Sequence, residues 1–266
     1  MLISNEFVFI HNPKAGGTAI RTALEPFARE SRWHQGSDGY FHIMDMAHQD
    51  RSERDKNARD AIRDARFAFM IVRDPIERFL SGFSEHCRQH ERGILDVNDF
   101  IDREVTYGNL WHDWRYIHMR PQWTFLDEHV HVYRHESLGE EWPNICAKAV
   151  GKIMPLTVSR KDPGMKPSKD QLAVRSFEKL ARVYAVDYLA FGQYYTPPTI
   201  IKTDGSHSVN MEFVHSPLRD GFLDLSQLRP GELLGFHGHR YARLFMSGYY
   251  IRSDAQYDGP VYGKVQ

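Results

Sequence analysis

Cysteine is scarce. The chain of 266 residues holds only Cys87 and Cys146, too few and too scattered for a disulfide framework. Free thiols of that kind fit a reducing compartment, so a cytoplasmic location is expected. Long apolar runs are absent: no stretch reaches the roughly 18 residues that a spanning helix needs, and no membrane span is expected. The opening segment, residues 1–14, lacks a basic n-region and a small-residue cleavage site, and reads as a first strand rather than a signal peptide. An excess of either charge is missing too. With 34 Lys and Arg against 35 Asp and Glu, the formal net charge is −1. That argues against a nucleic-acid partner held by bulk charge, because counterion release needs clustered cations. There is no internal repeat and no low-complexity tract. The remaining composition, 41% hydrophobic and 26% charged, is that of a globular chain. It has room for one large α/β domain, or one domain and a small appendage.

Strand-like and helix-like segments alternate through residues 1–195. Phe7, Val8, Phe9 and Ile10 form a short apolar run that stops at Asn12 and Pro13. After a glycine turn, Ile20, Ala23, Leu24 and Phe27 share one helix face. Phe67 to Val72 is a second apolar run without polar alternation, the pattern of a strand covered on both sides in a parallel sheet. It ends at Arg73, Asp74 and Pro75. Asp74 suits an N-cap, Pro75 the first helical position, and Glu77 completes a capping box. Ile76, Phe79, Leu80 and Phe83 then form a buried face, with Arg78 and Ser81 off it. A third strand is expected at Val130 to Tyr133 and a helix from Glu140 to Val150. Ser168 with Gln171 reads as a capping box before a helix that buries Ala173, Phe177, Leu180, Ala181 and Tyr184. The charged run from Arg51 to Arg66 is most simply a solvated helix. The fold class expected is α/β: a three-layer, P-loop-like fold around a central parallel sheet. Past Pro197 and Pro198 the texture changes, and residues 196–266 read as a small β-rich extension. Met211 to Val214 and Gly248 to Ile251 are its strand-like pieces.

The turn after the first strand is the informative segment: His11, Asn12, Pro13, Lys14, Ala15, Gly16, Gly17, Thr18, Ala19. Glycines let a backbone approach an anion closely, and N–H groups at a helix start point toward it. Lys14 adds a point charge and Thr18 a hydroxyl. The pattern is not a Walker loop, because the Lys precedes the glycines. Arg73 at the end of the second apolar run lies where ligands of open α/β sheets bind, outside the carboxyl ends of the strands. With Ser81 and a helix start it offers a second anion subsite. An ordinary ion pair of Arg73 with Asp74 or Glu77 is the plainer alternative.

Taken in order, these segments resemble a known family. Residues Pro13 to Thr18 resemble the 5′-phosphosulfate loop of sulfotransferases that use 3′-phosphoadenosine-5′-phosphosulfate (PAPS). Residues Phe69 to Phe83 resemble the 3′-phosphate motif of the same enzymes. The stretch His118 to Gln122 is similar to the His-x-x-Pro-Gln segment of the carbohydrate (Golgi-type, heparan-like) branch. Tyr133 to Leu138 and Tyr184 to Gly192 resemble its later pieces. The likeness covers about residues 5–195, taken as a PAPS-binding domain, and leaves 196–266 outside.

The resemblance implies in-line transfer of a sulfuryl group from PAPS to an acceptor hydroxyl, on a carbohydrate or small metabolite, with 3′-phosphoadenosine 5′-phosphate (PAP) as product. Lys14 would neutralise charge on the leaving phosphate. Lys14, Ala15, Gly16, Gly17, Thr18 and Ala19 would hold the 5′ side, and Arg73 and Ser81 the 3′-phosphate. The transferred group carries less charge than a phosphoryl, so no metal is expected. The base is expected to be a histidine, because an imidazole accepts a proton near neutral pH. His42 is the first candidate, His48 the neighbour able to replace it, and His118 a group that contacts the acceptor or orders the site. Two other readings share the scaffold: a P-loop-type phosphotransferase, and a non-catalytic nucleotide- or glycan-binding protein.

Other residues have blander readings. His86 and His90, one helical turn apart, are a solvated face rather than a metal pair, since no third ligand is evident. His129 and His131 read as structural, as do His237 and His239. Trp111, Trp114 and Trp123 with Tyr107 and Tyr116 are either core or a platform for an apolar-faced acceptor. The loop with Arg160, Lys161, Lys166 and Lys169 either folds over the nucleotide or is plainly exposed. Oligomeric state is not legible.

Overall fold

Two apolar runs build the centre of the sheet. In the computed structural model, β2 (Phe7–Ile10) and β4 (Phe67–Val72) pair in parallel with Phe7 opposite Phe67. β5 (His131–Arg134) joins β4 in parallel with Phe69 opposite His131. The description covers residues 1–32, 46–90, 96–106, 109–110, 113–157 and 166–195, and five short strands beyond them. The expectation of a parallel sheet holds for the three central strands only. β1 (Leu2–Ile3) and β3 (Glu30–Ser31) extend it antiparallel, giving the order β3-β1-β2-β4-β5. Both are two residues long, too short for any periodicity to register.

Every residue of β2 and β4 is buried, and side-chain alternation splits them between two apolar layers. Val8, Ile10, Met70, Val72 and Val132 face one core. It is filled by α3 (Pro75–Gln89), α4 (Val97–Glu104), α6 (Val174–Val183) and α7 (Ala185–Ala190). Phe7, Phe9, Phe69 and Ile71 face the other, with α1 (Gly17–Leu24) and α5 (Leu138–Val150). The result is the three-layer α/β arrangement. Each buried Phe or Ile contributes about 1.5–3 kcal/mol of transfer free energy, which fixes strand register at the carboxyl edge of the sheet.

Local chemistry differs from the sequence reading in three places. Asp74 caps α3 by accepting from the Glu77 N–H at 2.9 Å, but the Asp74 N–H goes to Glu136 Oε1 at 2.9 Å instead of Glu77. The capping box is therefore half made, and Glu77 is released for cations. The Ser168–Gln171 box opens a single 3-10 turn at Lys169–Gln171, and α6 starts only at Val174. The charged run from Arg51 to Arg66 is helical only as α2 (Lys56–Asp64), with Asp55 as cap and Ala58 and Ile62 buried. Arg54 before it is 1% exposed, held by Asp127 at 3.1 Å and the Phe125 carbonyl at 2.5 Å. In the C-terminal part, β6 (Leu218–Arg219) pairs with β7 (Phe222–Leu223). β8 (Leu234–Gly235), β10 (Pro260–Lys264) and β9 (Tyr249–Ser253) form an antiparallel sheet in the order β8-β10-β9. The segment Met211 to Val214 lies outside the described residues.

Candidate active site

The turn between β2 and α1 folds through two left-handed residues, Lys14 (φ 63°) and Gly16 (φ 86°). A lysine in that region is strained by roughly a kcal/mol or more, and the surroundings hold it there. Asn12 anchors the turn. Its Nδ2 donates to the Ile71 carbonyl at 2.9 Å and to Gln122 Oε1 at 3.0 Å. Gln122 in turn accepts from the Arg73 N–H at 3.2 Å and donates to the Arg73 carbonyl at 2.7 Å. The ends of the two central strands are thus tied through one fully buried glutamine. Arg73 closes the link, its Nη1 donating to the Lys14 carbonyl at 3.3 Å.

Arg78 is not a surface cation. It is fully buried, donating to the Pro13 carbonyl at 3.2 Å and to the Arg120 carbonyl. It props the turn from beneath, and so is not an anion ligand. Ser81 lies on the same helix at 8% exposure. The turn itself presents Lys14, Gly16 and Ala19 half-buried and Thr18 exposed, with Ala15 and Gly17 buried. The first turn of α1 leaves N–H groups without intrahelical partners, as any helix start does.

Carboxylates neutralise the cations. Lys14 Nζ sits 3.4 Å from Glu85 Oε2. Arg73 Nη2 is 3.7 Å from Glu77 Oε2, which also binds Lys166, while Lys169 Nζ is 2.9 Å from Asp74 Oδ1. The basic segment at 166–169 therefore lies against the start of α3; Arg160 and Lys161 lie outside the described residues. Burial alone would raise the Glu85 carboxyl. A hydrogen bond from Arg88 and the charges of Lys14 and His118 outweigh it and hold Glu85 down to about 2.

Three imidazoles stand in file beside this turn. The His48 ring is 4.4 Å from that of His11 and 5.0 Å from that of His118. Burial, with His48 and His118 nearby, lowers His11 well below the usual imidazole range. Arg120 locks the two outer segments together. Its Nη1 lies 2.9 Å from Asp50 and 2.9 Å from Glu53, and the Arg51 N–H donates to the Thr124 carbonyl at 2.9 Å.

A model of the sulfotransferase family matches residues 3–135, half of the chain. The chain belongs to the sulfotransferase family. No curated relative and no solved structure matches it. The matched span carries Lys14, His48, Arg73, Ser81 and His118, and ends just past β5.

The sulfotransferase thus brings together most residues singled out from sequence: Lys14 to Ala19, Arg73, His48 and His118. His42 lies outside the described residues, as do Tyr107, Trp111, His237 and His239. Trp123 and Tyr116 are core, whereas Trp114 is 61% exposed. His86 is buried, its Nδ1 3.1 Å from the Arg115 carbonyl and its ring stacked on Tyr116 at 5.2 Å. Among the described residues, no group of three or more His, Cys, Asp or Glu side chains is arranged to hold a metal. Sequence reasoning quoted His11 and Gln122 only as parts of their segments, without a role, and missed Glu85. Glu85 was findable, being one helical turn beyond Ser81 on α3. Two cavities, of about 340 and 400 Å³, flank β5 and α1; neither is lined by Lys14 or Arg73.

Proposed function

We propose that this sulfotransferase takes its sulfuryl group from PAPS and passes it to an acceptor hydroxyl, on a carbohydrate or small metabolite, with a histidine as base. The Arg73 contact to the Lys14 carbonyl at 3.3 Å carries the reading, because it ties the cation-bearing residue at the end of β4 to the backbone of the lysine turn that follows β2. A donor with phosphates at both ends needs such a pair. The residues present fit it: a left-handed lysine turn, a helix start, and Arg73, Lys166 and Lys169 grouped at the head of α3. When bound, PAPS supplies an activated sulfuryl group whose leaving side is a phosphate. Lys14 provides positive charge there, and the N–H groups of residues 15–18 and the Thr18 hydroxyl hold the 5′ side, Ala19 lining it while its own N–H donates to the Gly16 carbonyl. Arg73, with Ser81, binds the 3′ end, exchanging its Glu77 contact for a bidentate phosphate. His48 takes the acceptor proton, with His118 ordering the acceptor; His42 is the alternative base.

The same reading makes residues 1–195 the donor-binding domain and 196–266 a separate β-rich extension, in a cytoplasmic protein. No helix among the described residues is long and apolar enough to cross a membrane. The kinase reading asks for a Lys after the glycines, which this turn lacks.

The test is calorimetric titration of PAP in EDTA beside Mg-ATP, followed by an acceptor screen with labelled PAPS. Tight PAP binding without metal is expected, and Lys14→Ala should abolish transfer while keeping the fold. Preference for Mg-ATP, or full transfer by Lys14→Ala, overturns the proposal. Ala variants of His42, His48 and His118 assign the base, whose loss should cut kcat by roughly 10²–10⁴-fold.

A further inference from the structure

His11 follows β2 directly, and the alternation of the strand puts it on the side of Phe9, whose ring centroid is 6.0 Å away. It is 7% exposed. The first residue of α1 is built around it: a Cβ on Gly17 would come within 2.0 Å of His11 Cδ2 and 2.1 Å of Nε2. Gly17 is not among the residues of positive φ, so a glycine is needed there for space and not for conformation. On its other side the His11 ring meets His48 at 4.4 Å, and it hydrogen-bonds the backbone of Ala47, the residue before His48. The imidazole is thus wedged between the start of the anion turn and the segment that carries the base.

We propose that His11 is a positioning residue for sulfuryl transfer, seating the His48 ring at a fixed distance from the Lys14 turn. The inference rests on the reading of His48 as base. The file of rings runs from buried His11 to half-buried His48 and His118, so the wedge works from inside. A spacer at this place has to be neutral. A buried cation 4.4 Å from His48 would oppose the proton that His48 must accept. The groups that face His11 enforce neutrality: burial first, then His48, the amino group of Met1 and His118 lower its proton affinity, against a smaller opposing effect of the Ala47 hydrogen bond. A hydrocarbon ring of similar size would fill the space and lose the hold on Ala47. The ring nitrogen is what registers the segment.

The test compares His11→Phe, which keeps the ring and loses the hydrogen bond, with His11→Gln, which keeps a polar end. Calorimetry with PAP, PAPS turnover and the long-range ¹H–¹⁵N cross-peaks of the His48 ring are the three readouts. His11→Phe should bind PAP within about threefold of wild type, lower kcat about 10–100-fold at unchanged acceptor KM, and shift the His48 peaks. His11→Gln should recover part of kcat. Wild-type kcat with unmoved His48 peaks in His11→Phe overturns the inference. So does a loss of PAP affinity equal to the loss of kcat, which would make the ring a mere support of the turn. Where His11→Phe does not fold, Gly17→Ala pushes a methyl into the same ring and must move the His48 peaks; unmoved peaks again overturn the inference. Failure of the wild-type protein to bind PAP, or full turnover by His48→Ala, instead overturns the underlying reading of donor and base.

Discussion

Glu85 shows how one side chain ties stability to the donor turn. Its carboxyl lies at about 2 in the folded protein against an ordinary value of 4.5, so the folded state binds its proton more weakly than the unfolded chain does. Stability from this group is complete above about pH 4.5 and drains away as the pH falls toward 2. The Glu85 side chain is 12% exposed and that of Lys14 22%, so solvent screening trims the contribution to about 1–3 kcal/mol. Glu85→Gln should therefore lower the urea midpoint at pH 7, with the two unfolding curves converging near pH 2–3. A gap between the curves that is the same at pH 3 and pH 7 would assign the effect to packing. The residue is also the counter-charge of Lys14 at 3.4 Å, a contact that a phosphate bound as proposed would have to displace.

Between the regular elements, buried charge does what apolar periodicity does within them. Residues 46–54 and 113–126 are mostly 3-10 turns and extended pieces, yet they carry His48 and His118. Arg120, its side chain 4% exposed, spans them through Asp50 and Glu53. Arg120→Met strands the Asp50 carboxylate, itself 12% exposed, and should cost about 3 kcal/mol in urea unfolding. Lys56→Met, at a pair whose lysine is 84% exposed, should cost less than about 0.5 kcal/mol. Equal losses at the two sites would dismiss the clamp. This division also explains what could be read in advance. The runs of β2 and β4, the Asp74 cap and the Lys14 turn follow rules that act over a few neighbouring residues. The hold of Gln122 on Arg73 spans 49 residues and that of Arg120 on Asp50 spans 70, and no local pattern encodes either. His11 was quoted with the turn but given no role, because it sits one step past the strand, where alternation no longer draws the eye to a polar side chain. Arg78 lies off the apolar stripe and is nevertheless buried, because carbonyls replace the water that would solvate it.

At the scale of the whole chain, the proposed donor-binding unit has an end that truncation can locate. Among the described residues, those that make the two apolar cores lie between Met1 and Tyr195. Three tyrosines seal the last stretch. The Tyr184 hydroxyl donates to the Met119 carbonyl at 2.5 Å, next to His118, and that of Tyr194 to the Val132 carbonyl at 2.9 Å on β5. The Tyr195 hydroxyl lies 2.7 Å from Glu136 and 3.2 Å from the Val72 carbonyl, beside Arg73. A chain cut after residue 197 keeps all three, and should fold cooperatively and bind PAP within about threefold of the full chain. A chain cut after residue 183 loses them, leaves Glu136 and the end of β4 without their cover, and should fail to bind. Comparing the two by calorimetry and thermal unfolding separates a self-sufficient donor domain from one that needs the C-terminal strands. Where the longer fragment binds PAP and transfers nothing to an acceptor that the full chain sulfates, residues 198–266 belong to acceptor recognition. Retained transfer assigns them a role outside the reaction, because His42, His48, His118, Lys14 and Arg73 are all present in the longer fragment.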